Sequence, residues 1–229
     1  MSPFKTERGE AFVTDSAGSG QITLSCVSRA LIATSNPGKL RDFAGAAASD
    51  GITVASLPDF DSLPGVREDG ATFEENARKK AEHYSRFAPG ELVLADDSGL
   101  EVDALGGAPG VHSARYAADS TEANADDAAN NARLLRELSR IANRGARFVC
   151  VIAAARDGQT LAAFRGEAQG EILHAPRGSG GFGYDPLFFF PALGKTFAEL
   201  APEEKAKFSH RGAAFRKFLE WPARQPPLG

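Results

Sequence analysis

Asp96 and Asp97 stand side by side after the apolar run 92–95 and are followed by Ser98 and Gly99. A buried carboxylate without a counter-charge is expensive, and a second beside it adds like-charge repulsion. A core strand that ends this way calls for a cation. Hard carboxylate oxygens suit Mg2+, which takes one or two carboxylates together with phosphate oxygens. A strand-end turn with an Asx cap accounts for the pair about as well when it is taken alone. Glu68, Asp69, Glu74 and Glu75 are the available sources of a second acidic ligand.

Three further segments carry matching chemistry. Thr34, Ser35, Asn36, Pro37, Gly38 and Lys39 form a polar junction between a strand and a helix. A helix N-terminus presents free amides and a positive dipole end, a ready phosphate site. The Walker A spacing is absent, so this is no P-loop, and an ordinary capped helix is the competing explanation. Gly180, Gly181, Phe182, Gly183, Tyr184 and Asp185 set two aromatics among glycines, which lets backbone approach a flat ligand and a ring stack on it, and a glycine turn with core aromatics accounts for the segment about as well. Lys205, Lys207, His210, Arg211, Arg216 and Lys217 crowd the C-terminal part of an otherwise acidic chain. Most such runs are solvated helix faces, yet His210 and Arg211 open a helix where the dipole favours acids, which points to an anionic or carbonyl-bearing ligand.

The elements that must position these groups are written in the pattern. Residues 30–33 form a short buried strand, and Asn36 with Pro37 caps and opens a helix whose Leu40, Phe43, Ala44 and Ala47 recur with helical spacing. Thr72 to Glu75 is a capping box for a second helix that packs Phe73, Ala77, Ala81 and Tyr84 inward, with Lys79 and Lys80 off that stripe. A strand over 91–95 follows, and 100–102 continue it as extended chain. A long helix is expected over 121–143 and a strand over 147–155. Asp157-Gly158 turns into a hairpin partner at 161–164. Further strands are expected over 168–173 and 187–190, and a last helix from Ser209 packs Phe215, Phe218 and Leu219. The class is α/β with a mixed sheet.

With 229 residues and 42% apolar content the chain holds one fair-sized domain. A formal charge of −4 argues against a general nucleic-acid or membrane-surface binder. No stretch approaches the length of a membrane span, and no charged-then-apolar leader opens the chain. Cys26 and Cys150 form no ligand motif, and Cys150 in its apolar run reads as a buried thiol in a reducing compartment. Residues 1–27 read as a disordered extension, 28–222 as a single domain with two lobes around a cleft, and 223–229 as an irregular tail.

In TSNPGK (34–39), EDGATFEENARKKA (68–81), ADDSGLEVDALGGAPGVHSARYA (95–117), GSGGFGYDPLFF (178–189) and EEKAKFSHRGAA (203–214), the chain resembles the inosine/xanthosine triphosphate pyrophosphatases. These enzymes act on purine nucleoside triphosphates with aberrant bases. The segments follow the family's order across nearly the whole chain after residue 28. The resemblance implies an elongated mixed sheet flanked by helices, a homodimer in the cytoplasm, and Mg2+-dependent hydrolysis of ITP, dITP and XTP to monophosphate and pyrophosphate. It assigns Asp97 as general base and metal ligand, Asp96 as its support, Glu68 as second ligand and Lys80 as a phosphate contact. Thr34 to Lys39 would hold phosphate and Ser98 would touch substrate. Phe182, Gly183, Tyr184 and Asp185 would form the base and sugar pocket, completed by Lys205, His210 and Arg211. Ser35 stands where many relatives have glycine, a change an amide donor tolerates. The competing readings are a Maf-type pyrophosphatase with another base preference and a non-catalytic nucleotide sensor.

Overall fold

The first strand, β1 (Arg29–Ile32), is buried beyond its first residue and leads straight into the polar junction and α1 (Pro37–Ala47). In this computed structural model, residues 29–48, 51–118 and 124–221 are described. The extension expected over 1–27 and the tail 223–229 lie outside them. Asn36 caps α1 through its side-chain oxygen, which accepts from the amides of Gly38 at 2.8 Å and Lys39 at 3.1 Å. Pro37 takes the first helical position, where its missing N–H is no loss. Phe43, Ala46 and Ala47 face inward, while Ala44 of the expected stripe is exposed.

Strand β2 (Thr53–Ser56) pairs parallel to β1, and α2 (Phe73–Tyr84) crosses back over the sheet. Thr72 caps α2 as its sequence predicts, accepting from the Glu75 amide at 3.1 Å. Glu75 reaches back one residue further than a capping box requires, to the amide of Ala71 at 2.8 Å. Phe73, Ala77, Ala81 and Tyr84 are all buried, and so are Asn76 and Lys80 beside them.

Strand β3 (Val93–Val102) corrects the expectation of a strand ending at Ala95. It runs unbroken through both aspartates, so the acidic pair lies in mid-strand and not in a turn. Antiparallel pairing with β4 (Gly145–Arg156) holds it there, with Asp96 opposite Ile152 and Asp97 opposite Val151. Asp157 and Gly158, both at positive φ (50° and 82°), turn the chain into β5 (Gln159–Ile172). The hairpin partner and the separate strand expected over 168–173 are one continuous strand. Strands β6 (Phe188–Phe190) and β7 (Lys195–Thr196) finish a seven-stranded mixed sheet of order β2-β1-β3-β4-β5-β6-β7.

Of the long helix expected over 121–143, positions 121–123 lie outside the described residues, and within the rest α3 spans only Asp127–Glu137, capped by Asp126. Leu138 ends it at the C-cap, and Arg144 takes up the carbonyls of Leu138, Ile172 and Leu173. The chain closes with α4 (Pro202–Phe208), which the sequence reading passed over, and α5 (His210–Glu220), capped by Ser209. Gly212 lets these two meet, since a Cβ there would stand 1.8 Å from the Ala206 carbonyl oxygen.

Helices cover both faces of the central strands. On one face Leu94 packs with Phe43 of α1 and Phe215 and Phe218 of α5. On the other, Val93 and Ala95 pack with Phe73, Ala77 and Ala81 of α2. A third apolar cluster gathers Leu100, Leu134, Leu138, Phe148, Phe188 and Phe197 toward the far end of the sheet. The two faces of β3 therefore meet different helices, and this decides what each aspartate touches.

Candidate active site

Successive side chains on a strand point to opposite faces. Asp96 accordingly shares its face with Leu94 and Ser98, and Asp97 shares the other with Ala95. The α1 side supplies Lys39, whose Nζ lies 3.0 Å from Asp96 Oδ1. From α5, Arg211 Nε approaches Asp96 Oδ2 at 3.6 Å. Arg211 also donates through Nη2 to Ser98 Oγ at 2.7 Å, and Ser98 donates to Asp96 Oδ2 at 3.1 Å. Burial alone would push the Asp96 carboxyl up, but Lys39, Arg211 and Lys80 outweigh it and hold the group down at about 2. It is a fixed anion.

Asp97 meets α2. Asn76 Nδ2 donates to its Oδ2 at 3.1 Å, and Lys80 Nζ stands 3.4 Å from its Oδ1. Lys80 also bridges to Glu68 Oε2 at 2.7 Å. Burial resists the charge on Lys80, yet Asp97 and Glu68 together raise its pKa and keep it an ammonium. At Asp97 the balance falls the other way: burial raises its pKa against the pull of Lys80 and Lys39. This carboxylate is short of positive charge and correspondingly basic.

That shortage tests the site for a divalent ion. Asp97 and Glu68 offer hard oxygen donors on either side of Lys80, and Asp97 gains from any added cation. Among the described residues no group of three or more His, Cys, Asp or Glu side chains could enclose a metal. Mg2+ needs no such cage, because it binds through one or two carboxylates and completes its shell with water and phosphate. The residues fit it. Of the other acids considered, Asp69 pairs with Lys79 at 2.6 Å, Glu74 with Arg78 at 2.8 Å, and Glu75 is committed to its cap.

A third wall faces the aspartates. The ring of Phe182 sits against α1, where a Cβ on Gly38 would come within 2.6 Å of it. Lys205 Nζ and the Arg211 guanidinium each lie 5.1 Å from its centroid, within cation–π range. Asp185 is buried beneath, accepting from Lys205 Nζ at 2.7 Å and from the Phe182 amide at 2.9 Å. Burial pushes its carboxyl up against the pull of Lys205. Gly181, at φ 70°, makes the turn, and its missing Cβ leaves room for the Asp185 carboxylate. Tyr184 is buried too and donates its hydroxyl to the Ser113 carbonyl at 2.8 Å, whereas Phe182 is half-buried. His210 stacks on Phe148 at 4.7 Å and 11°, with Nδ1 buried and unpartnered among the described residues. Its burial, with Arg211, Lys205 and Lys39 nearby, drives its pKa well below the usual imidazole range.

These walls enclose a cleft of about 430 Å³. Thr34, Ser35, Asn36, Lys39, Glu68, Lys80, Asp96, Asp97, Ser98, Phe182, Gly183, Tyr184, Asp185, His210 and Arg211 all line it. Pro37, Gly38 and Lys205 do not: Pro37 is exposed on the helix, Gly38 lies under Phe182, and Lys205 is buried behind the same ring.

Several site residues went unread in the sequence. Asp42 joins Arg211 Nη1 at 3.1 Å and Lys205 Nζ at 3.3 Å, tying two cations to α1. Its signal was its place one turn beyond Lys39. Asn76 lies one turn before Lys80, the spacing that puts both on one helix face. Phe148 gave no signal, because its role as a platform for His210 depends on strand register.

The chain is similar to known proteins over most of its length. Residues 30–221 match the Ham1 family. The dITP/XTP pyrophosphatase of Acidobacterium capsulatum is 51% identical over 82% of this chain and 95% of its own. That of Geobacillus kaustophilus is 53% identical, over 83% and 92%. Among solved structures, the Staphylococcus aureus Ham1 protein superposes with a TM-score of 0.70 at 42% identity, covering 84% of this chain and 98% of that one. A HAM1 protein from Coxiella burnetii gives 0.72 at 38% identity, covering 86% and 99%.

Proposed function

This chain belongs to the Ham1 family, and from that premise we propose that it hydrolyses dITP, ITP and XTP to the monophosphate and pyrophosphate with Mg2+. The observation that supports this most directly is the basic, cation-poor Asp97 in a cleft whose opposite wall carries Phe182, His210 and Arg211. One wall suits phosphoryl chemistry and the other a purine.

In this reading water attacks the α-phosphorus and gives its proton to Asp97. The bond from that phosphorus to the oxygen bridging to the β-phosphate breaks, and the electron pair leaves with pyrophosphate. Asn76 fixes the Asp97 carboxylate through Oδ2, leaving Oδ1 toward Lys80 and the cleft. Lys39 and Lys80 supply positive charge to the phosphates, beside the positive end of the α1 dipole. Mg2+, held by Asp97 and Glu68, would supply further charge neutralisation and acidify the attacking water. Asp96 does not accept the proton, because its neighbours keep it ionised; it holds Lys39 and Arg211 in place.

Selectivity for the base falls to the wall of Phe182, His210 and Arg211. Arg211 carries only donors, which suit the 6-keto oxygen of hypoxanthine and xanthine and leave the 6-amino group of adenine unmatched. Buried donors left without partners discriminate strongly between such analogues. A homodimer and a cytoplasmic location accompany this reading, and the buried free thiol of Cys150 is compatible with a reducing compartment.

The test is pyrophosphate release measured with Mg2+ on a panel of nucleotides. Turnover of dITP, ITP or XTP should exceed that of ATP by about 10²-fold or more in kcat/KM. Equal turnover of ATP overturns the assignment, as does activity undiminished by chelation of the metal.

A further inference from the structure

The 3-10 turn Gly110–Arg115 lies directly on β3 at Gly99, where a Cβ would come 2.3 Å from Ser113 Oγ and 2.5 Å from the Gly110 carbonyl oxygen. Ser113 Oγ accepts from the Leu100 amide at 2.9 Å and donates to the Gly110 carbonyl at 2.6 Å. The Tyr184 hydroxyl fastens the same turn from the other side. The turn is rigid, and at its end it presents Arg115 to the cleft.

Arg115 differs from the other cations of the cleft. Lys39, Lys80 and Arg211 each have a carboxylate within 4.0 Å. Arg115 has none among the described residues. One of its donors is used: Nη2 reaches the Glu68 carbonyl at 3.2 Å. Its Nε is buried and has no partner among the described residues. A guanidinium carries five N–H donors and remains charged at any physiological pH, so a buried, unmatched N–H on it awaits an acceptor.

We propose that Arg115 is a phosphate-binding residue that engages the β- and γ-phosphates, the part of the substrate that leaves as pyrophosphate. The inference rests on the hydrolytic reading above and adds to it a cation of the 95–117 segment that has no role assigned there. Placement supports it. A run of contacts leads from Asp97 to Lys80, from Lys80 to Glu68 and from Glu68 to Arg115. It starts on the α2 face of β3, whereas Phe182 and Arg211 stand on the α1 and α5 face. A purine against Phe182 with its α-phosphate at Asp97 sends the remaining phosphates along that run. Guanidinium and phosphate match in planar, two-pronged geometry, which favours arginine at such a position over lysine.

The experiment is calorimetric titration of inorganic pyrophosphate, and separately of IMP, into wild-type protein, Arg115→Ala and Arg115→Lys, with and without Mg2+. Thermal melts establish that each variant is folded, and Arg115→Lys serves should the alanine variant not be. The alanine variant should bind pyrophosphate about tenfold or more weakly, the loss expected for a charged hydrogen bond, with IMP affinity within about twofold of wild type. Arg115→Lys should fall between the two. Pyrophosphate binding unchanged in folded variants overturns the role of Arg115, and so does an equal loss for IMP, which marks a general disturbance through Glu68. Wild-type protein that neither binds pyrophosphate nor hydrolyses dITP overturns the hydrolytic reading itself.

Discussion

The two faces of β3 hold the same side chain one residue apart and treat it in opposite ways. On the α1 and α5 face, Asp96 has Lys39, Arg211 and Ser98 around it and stays ionised down to about pH 2. On the α2 face, Asp97 has an amide and one ammonium at 3.4 Å, and burial keeps its pKa raised. Strand alternation makes the separation possible, because two adjacent carboxylates in a turn would share one environment. The chain thus obtains a structural anion and a chemical base from a repeated residue. Neighbours, not residue type, set the role of each.

The largest expected effect comes from breaking the chemical side alone. Asp97→Asn removes the proton acceptor while keeping shape and the hydrogen bond from Asn76. The kcat for dITP should fall by about 10³-fold, within the range for a positioned general base, while the melting temperature moves by only a few degrees. Steady-state kinetics beside a thermal melt would measure both. Residual activity within tenfold of wild type would show that Asp97 is not the acceptor.

Breaking the structural side should give the reverse pattern. Asp96→Asn leaves Lys39 and Arg211 buried beside a neutral amide, and removal of one partner from a buried ion pair destabilises by about 3–5 kcal/mol. Denaturant unfolding at neutral pH would show the loss. The sign with pH follows from the depressed pKa: Asp96 contributes its stability above the ordinary aspartate value and loses it as pH falls toward about 2. Wild-type protein should therefore lose stability over that interval, and Asp96→Asn should lose less. If both substitutions abolish activity and neither shifts the melt, the two faces are not distinct.

The same contrast explains what the sequence could and could not convey. Caps and stripes are local, so α1, α2 and α5 were legible from Asn36, Thr72 and Ser209 and from the spacing of their apolar residues. The functional motifs were legible because each is contiguous. Tertiary consequences were not. Two carboxylates and a glycine read as the end of a strand, and only pairing with β4 along the whole length of β3 keeps them in mid-strand. Asp42 is an unremarkable helix residue until α5 arrives with Arg211. The sequence pattern sets Lys80 off the buried stripe of α2, yet it is buried, because Asp97 and Glu68 draw it toward the sheet. The helix expected to begin near residue 121 begins instead at Asp127, after the Asp126 cap, since a capping side chain overrides the propensity of the residues before it.

The smallest expected effect tests how far the cations of the Asp96 face extend their influence. His210 lies on that side, stacked on Phe148, and burial together with Arg211, Lys205 and Lys39 depresses its pKa well below that of a free imidazole. A histidine with a depressed folded pKa is neutral in the native state and takes up a proton on unfolding. Its contribution is fully present above the unfolded value of about 6.5 and falls away below it, by at most about 1.4 kcal/mol per pH unit. Asp97 and Asp185, whose carboxyls burial pushes up, are common to wild type and a His210→Phe variant, so the difference between the two isolates the histidine. His210→Phe keeps a ring on Phe148 and removes both the proton site and the unpartnered Nδ1. Urea unfolding of the two proteins at several pH values should give a wild-type stability that declines through this interval and a variant that declines less. Parallel curves would mean that His210 takes up its proton as readily in the folded protein as in the unfolded chain, and that the positive charge gathered around Asp96 does not reach it.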